Sequence, residues 1–355
     1  MAGRLELQGN PVALAGDPRR RLVPRRRWRV RAGPAGEAER VTSVMRETIW
    51  RQPADLRGLL ADPDAVDAAA KLLRGRRVLV VGTGTSWHAA NHAVWLLREA
   101  GIDTWPVQAM DAATYGLPLQ QGDAVLVMSH RNTKRFSSEL RDRMRADGVP
   151  CVVIGGRGSP GVDVETVEPE RSAAFTASHL GALMRVAQLS RALGAELAGL
   201  ERVPDAVEAV LSRELGVEPP ERLLELTGSG PNQWTAAEGA LKVRETSRVA
   251  TEGLSVEQLF HGPSVALDER DALVWLDGGG PGAERGAAVA TAAEACGTRV
   301  YSFSETELGE PLSVFALTTI VQRIALELAE QLGTDPDAFG YDVPGRKEAW
   351  TALTL

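Results

Sequence analysis

A strand–glycine–helix turn occurs twice in this chain, and that repetition constrains the fold more than any other feature. The first copy runs from Arg77-Val-Leu-Val-Val81 into Gly82-Thr-Gly84-Thr85-Ser86-Trp87. The second runs from Leu223–Leu226 into Gly228-Ser-Gly230-Pro-Asn-Gln-Trp234, 146 residues later. A short apolar run that ends in glycines and leads into a helix opens a βαβ unit. After the first copy the pattern predicts a helix from Trp87 to about Ala100, a strand over Asp123–Met128 and a helix to about Asp147. A strand over Cys151–Ile154 and a long apolar helix from about Ala174 to Leu193 follow. After the second copy it predicts a helix from Thr235, strands over Ala272–Leu276 and Arg299–Phe303, and a closing helix over Leu317–Leu332. The expected fold is α/β: two tandem doubly wound parallel-sheet domains, one a duplicate of the other. A chain of 355 residues has room for two cores. The first domain is expected over residues 41–200 with a lead-in helix, and the second over 201–355 with a C-terminal tail. Residues 1–40 carry ten arginines and no apolar periodicity, and are expected to form a disordered arm.

The net charge of −7 argues against general affinity for nucleic acid. No run of 18 apolar residues occurs, so no membrane partner is expected. The N-terminal arginines precede no apolar stretch of the secretory kind. Cys151 and Cys296 form no disulfide or metal pattern, and a reducing, cytoplasmic location is the expectation. Only four of the 40 basic residues are lysines: Lys71, Lys134, Lys242 and Lys347. Lysine differs from arginine in that it can lose its proton and act in acid–base chemistry.

The glycine turns and one helix carry the candidate chemistry. A strand–Gly-x-Gly–helix turn presents backbone N–H groups and a positive helix end. Gly84, Thr85 and Ser86 lie at the first turn. Ser129, His130, Arg131 and Thr133 follow the Asp123–Met128 strand. The carboxyl ends of parallel strands line one crevice, so the two loops are expected to converge on an anionic group, with phosphate the leading candidate. The plain alternative is ordinary helix capping by Ser and Thr. A nicotinamide cofactor is disfavoured: Trp87 replaces the third glycine of G-x-G-x-x-G, and neither Asp103 nor Asp111 stands where the ribose-binding acid belongs. No cofactor is expected. His88 and His92, spaced i, i+4 without a third ligand, read as a packed helix pair rather than a metal site. His179, within an apolar helix, reads as a core histidine with its hydrogen bonds satisfied. In the second half, Glu238-Gly-Ala-Leu-Lys242-Val-Arg-Glu245 places Glu238, Lys242 and Glu245 at i, i+4, i+7 on one helical stripe. His261-Gly262-Pro263 follows. Two carboxylates, an amine and an imidazole suit proton transfer at carbon. The alternative is a surface Glu–Lys pair worth about 0.3–0.5 kcal/mol.

On these motifs, residues 43–355 resemble the tandem sugar-isomerase (SIS) domain proteins. The likeness is above all to the isomerase half of glucosamine-6-phosphate synthase and its stand-alone deglycase and deaminase relatives. Met45-Arg-Glu47-Thr-Ile-Trp-Arg-Gln52-Pro53 looks like the family's lead-in helix, and Gly84-Thr85-Ser86 like its first sugar-phosphate loop. Glu238–Glu245 and His261-Gly-Pro are its most specific motifs. The resemblance implies flavodoxin-like, SIS-type domains and a phosphorylated sugar or amino sugar as ligand. It implies aldose–ketose isomerisation with amine gain or loss at C2. Glu245 would be the base acting between C1 and C2, and Lys242 would stabilise the enediol charge. Glu238 would join the binding residues. His261 would assist ring opening from a neighbouring subunit, which makes a homodimer or larger homo-oligomer the expected assembly. Lys347, in Gly345-Arg346-Lys347, occupies the region of the family's closing lysine, although Phe339–Pro344 lengthens the tail. Two loops depart from the pattern. Ser-Gln-Ser-Gly-Glu-Thr becomes Ser129-His130-Arg131-Asn132-Thr133, followed by Lys134 and Arg135. Ser-Thr-Lys becomes Arg171-Ser172-Ala-Ala-Phe175-Thr176. Both leave the identity of the sugar open. No glutaminase segment is read, so release of ammonia from glutamine is not expected of this chain. The alternatives are a non-catalytic sugar-phosphate-binding regulator, a fructosamine-phosphate deglycase and a glucosamine-6-phosphate deaminase.

Overall fold

The computed structural model describes residues 43–353, so the arginine-rich arm lies outside the described residues. The first half contains α1 (Val44–Leu60), α2 (Asp64–Leu73), β1 (Val78–Gly82), α3 (Thr85–Glu99), β2 (Thr104–Gln108) and α4 (Ala109–Tyr115). It continues with β3 (Ala124–Met128), α5 (Arg135–Ala146), β4 (Cys151–Gly155), β5 (Val164–Glu165) and α6 (Ala177–Leu193). The second half contains α7 (Val203–Leu211), β6 (Leu224–Gly228), α8 (Asn232–Thr246), β7 (Thr251–Ser255) and α9 (Val256–Phe260). Then come β8 (Ala272–Asp277), α10 (Ala283–Ala295), β9 (Arg299–Ser304), α11 (Glu310–Leu332) and α12 (Arg346–Thr351).

Two wholly parallel sheets result, with orders β2-β1-β3-β4-β5 and β7-β6-β8-β9. The first four strands of each follow the same order, so the duplication is one of topology as well as motif. Chain order reverses beside β1 and beside β6, which puts the switch-point crevice at the end of each glycine strand. β1, β3 and β4 are buried along their whole length, as continuous apolar strands covered on both faces should be. The sequence pattern does not announce β2 or β7. Both are edge strands, one carrying Pro106 and the other the sequence Thr-Glu-Gly-Leu-Ser, and neither needs an apolar run. Gly82 and Gly228 are glycines for the same reason. A Cβ there would lie 2.0 Å from the Ser86 carbonyl oxygen and 2.5 Å from that of Asn232, where the next helix crosses close to the strand.

Helix starts differ from expectation. α3 begins at Thr85 and α8 at Asn232, earlier than the apolar pattern suggests, while α6 begins later, at Ala177. α11 begins seven residues before Leu317, with Pro311 in its first turn. By length and composition α11 is able to cross a membrane, but 94% of its most apolar window is buried inside the protein. Leu312, Val314 and Phe315 pack into the first core, and residues from Ala316 to Leu328 into the second. α1 is shared in the same way: Leu56 and Leu59 join the first core, Met45 and Ile49 the second.

The second sheet buries one carboxyl without compensation. Glu225 on β6 is 1% exposed and neither of its oxygens has a hydrogen-bond partner. Burial, reinforced by Glu252, pushes its pKa up to about 8. Because the folded value exceeds the unfolded one, its contribution to stability is intact below about pH 4.5 and is lost as the pH rises towards 8. Glu225→Gln should therefore melt with the wild type at pH 5 and at least about 2 °C above it at pH 8.5. Calorimetric melts across this range check it; a constant difference would contradict the buried-carboxyl account.

Candidate functional site

The site forms where α3, starting behind the first glycine turn, meets α8 of the second half. Gly84 adopts φ +56°, which lets the chain turn from β1 into α3. Thr85 and His88 then stand three residues apart on one face of α3. On α8, Gly239 permits close packing: a Cβ there would lie 2.7 Å from a Leu226 methyl and 2.8 Å from Val321 Cβ. Its neighbour Glu238 is wholly buried.

Glu238 accepts hydrogen bonds from His88 Nδ1 at 2.7 Å and Thr85 Oγ1 at 3.2 Å. Lys242 Nζ lies 3.5 Å from the Glu238 carboxylate and 2.5 Å from Glu245 Oε2. Lys242 is 1% exposed, whereas the Glu245 side chain keeps 14% of its surface. Burial works against the charge of Glu238, but Lys242 and the hydrogen bond from His88 outweigh it and bring the pKa to about 2. For Glu245 burial wins over Lys242, and the carboxyl is raised above its ordinary value. Burial also opposes the charge of Lys242, and the two carboxylates together overcome it and raise its pKa. The stripe thus holds a clamped anion, a clamped cation and one carboxyl displaced towards neutrality.

A cleft of about 310 Å³, counted with its open mouth, lies beside this cluster and takes Thr85, Ser86, Ser129, His130, Phe175 and His179 into its lining. Thr85 belongs to both cleft and cluster. Gly84 lies in the exposed turn, and Arg131 and Thr133 are exposed outside the cleft lining. The Arg131 guanidinium donates to the Glu170 carbonyl and covers the Phe175 ring. His261 is 68% exposed, pairs with Glu257 at 3.0 Å and makes no ion pair with Glu238, Lys242 or Glu245. Lys347 is exposed on α12.

Two histidines depart from the sequence reading. His88 pairs with Glu238 rather than merely packing beside His92. The available signal was its position one turn behind Thr85. His179 is not a satisfied core histidine: it is 2% exposed, yet neither ring nitrogen has a hydrogen-bond partner. The second glycine turn is filled from within. A Cβ at Gly230 would lie 2.6 Å from Glu310 Oε1, and one at Gly280 would lie 1.9 Å from its Cδ. Trp87 and Trp234, the tryptophans behind the two turns, meet edge to face at 6.0 Å.

No protein-family model matches the chain. It is 30% identical over 343 residues to glutamine–fructose-6-phosphate aminotransferase (isomerizing) of Aeropyrum pernix, covering 82% of this chain and 55% of that protein. It is 26% identical over 305 residues to the enzyme of the same name from Sulfurisphaera tokodaii, covering 79% and 51%. The chain therefore spans about half the length of the curated relatives it matches. Among solved structures, the C-terminal domain of glucosamine-fructose-6-phosphate aminotransferase from Francisella tularensis superposes with a TM-score of 0.71 at 15% identity, over 85% of this chain and 99% of that one. Tagatose-6-phosphate ketose/aldose isomerase from Escherichia coli gives 0.71 at 19% identity, over 84% and 95%. These structures share the fold.

Removing the cation at the centre of the cluster should be costly. Lys242→Met leaves Glu245 without its cation and Glu238 with only His88 and Thr85, and should destabilise the protein by about 3–5 kcal/mol. Adding Glu238→Gln should recover part of that loss. Urea unfolding midpoints test both; a loss below about 1 kcal/mol for the single variant would show that the pair is not buried as described.

Proposed function

This chain is a tandem SIS-domain protein that matches the isomerase half of glutamine–fructose-6-phosphate aminotransferase, and on that premise we propose that it moves a proton between C1 and C2 of an open-chain sugar derivative, of the phosphorylated sugar and amino-sugar class, with Glu245 as the base. The observation that carries this reading is the placement of Glu245 on one helical stripe with the buried Lys242 and Glu238, its own side chain still 14% exposed. Glu238 is sealed in and bonded to His88 and Thr85, which holds it as an anion, whereas burial raises Glu245, the direction a proton carrier needs. Glu238 is therefore the fixed anion and Glu245 the proton carrier. Glu245 alone among the three has appreciable side-chain exposure. Lys242, 2.5 Å away, supplies the positive charge that an enediolate oxygen would need.

His261 stands exposed at the end of α9, with Phe260 beside it also exposed. Its assistance in ring opening requires a second copy of the chain, so a homodimer or larger assembly is part of the proposal. Lys347 on the exposed α12 is the candidate for a lysine that closes over the ligand. Isomerisation, deglycation and deamination all share the C1/C2 proton transfer and differ in what joins or leaves C2. The assembled trio favours these over a binding-only regulator.

Glu245→Gln should lower solvent-deuterium exchange at C1/C2 of fructose 6-phosphate, glucosamine 6-phosphate or their unphosphorylated counterparts by about 10²–10⁴-fold. The thermal shift produced by the same ligand should remain. NMR in D2O reads the first quantity, and exchange at the wild-type rate would remove Glu245 from the mechanism.

A further inference from the structure

One imidazole beside the charged stripe keeps a ring nitrogen to spare. The chain has five histidines, and they dispose of their nitrogens differently. His92 bonds both, Nδ1 to the His88 carbonyl and Nε2 to the Thr235 hydroxyl, each at 3.0 Å. His130 accepts from the Glu170 amide at Nε2, and its Nδ1 is sealed in, as are both nitrogens of His179. His261 is exposed and pairs with Glu257. His88 joins the stripe: its Nδ1 lies 2.7 Å from Glu238. Its Nε2 has no partner among the described residues and is not sealed off, the side chain being 14% exposed.

The buried carboxylate decides which nitrogen of His88 carries the proton. Glu238 is fully buried, faces Thr85 and Lys242 as well, and with its pKa brought to about 2 it stays ionised and only accepts. The proton of neutral His88 therefore sits on Nδ1, and Nε2 is left as a basic lone pair. Trp234 stacks beside the ring, with centroids 6.5 Å and planes 30° apart, and steadies its orientation. A carboxylate that fixes the tautomer of an imidazole and frees its far nitrogen is an arrangement suited to proton transfer. Glu245 is near enough to feel the charge of His88. Aldose–ketose interconversion has work for such a group. Moving a proton between the carbons leaves the oxygen-bound proton on the wrong oxygen, and the carbon base, protonated at that moment, cannot take it up.

We propose that His88, oriented by Glu238, carries the oxygen-bound proton of the sugar between O1 and O2. The proposal rests on the reading of Glu245 as the carbon base. Starting from the aldose, Glu245 takes the proton from C2, and the C1 carbonyl becomes an enediolate with its charge on O1. His88 Nε2 takes the proton of the O2 hydroxyl and returns it to O1. The charge on O2 then closes the C2 carbonyl as Glu245 gives its proton to C1. Both side chains end as they began. Fructose 6-phosphate in D2O is the probe, on the full chain. NMR reads two rates: deuterium entry at C1, which needs the carbon base alone, and formation of aldose, which needs both groups. His88→Asn keeps an amide that can donate to Glu238 but has no basic nitrogen. It should melt with the wild type and form aldose about 10²-fold more slowly. That loss should exceed the loss in deuterium entry at least tenfold. If the Asn variant does not fold, His88→Gln, also a donor without a basic nitrogen, carries the same test. An equal fall in both rates would make His88 a structural partner of Glu238 only, and undiminished aldose formation would remove it from the reaction; either result overturns the proposal. Absence of both rates in the wild type would overturn the isomerase reading itself, and the proposal with it.

Discussion

Lys242 is a cation with almost no access to water, and the centre of the protein is arranged around that fact. An ammonium in such a place is tolerable only with carboxylates at contact distance. Glu238 and Glu245 supply them from the same helix, one turn before and one turn after. Glu238 then has oxygens to satisfy, and it does so with Thr85 and His88 from the other half of the chain. The requirement of one buried charge is thus passed along α8 and across to α3. The helix that carries this charged stripe is tied to the turn that borders the cleft.

The two halves, alike in strand order, differ at their glycine turns. Gly84 and Gly230 have nearly the same left-handed φ, +56° and +55°. In the second half the space against that turn is taken by Glu310, whose carboxyl is raised by burial. In the first half Glu170 bonds the amides at the start of α6, and Thr85, Ser86 and Ser129 line an open cleft. One sheet therefore offers a cleft, while the other contributes α8.

Much of this was legible in the sequence. The continuous apolar strands β1, β3, β4 and β8 are the kind of signal that periodicity detects, and the i, i+4, i+7 spacing places Glu238, Lys242 and Glu245 on one face. Edge strands β2 and β7 escaped because a half-covered edge needs no apolar run. Loop residues were harder. Arg131 and His130 are adjacent, and the sequence gives both the look of anion ligands. The backbone sends the guanidinium out over Phe175 and the imidazole into the cleft. His179 was hidden for the opposite reason. An apolar helix buries whatever it carries, and whether a buried imidazole finds partners depends on neighbours 90 residues away.

Thr85 links recognition to chemistry. Its hydroxyl lines the cleft, and its proton is donated to Glu238. A ligand hydroxyl that accepts from Thr85 would take that bond away from Glu238. The carboxylate would then lean more heavily on His88 and on Lys242, the two partners left to it. Lys242 is shared with Glu245, so a stronger hold by Glu238 weakens the pull that keeps Glu245 ionised. A change at the cleft wall would therefore reach the Lys242–Glu245 pair through Glu238. Cleft and Glu245 need no direct contact for this coupling, because the buried cation beside them cannot serve both carboxylates equally.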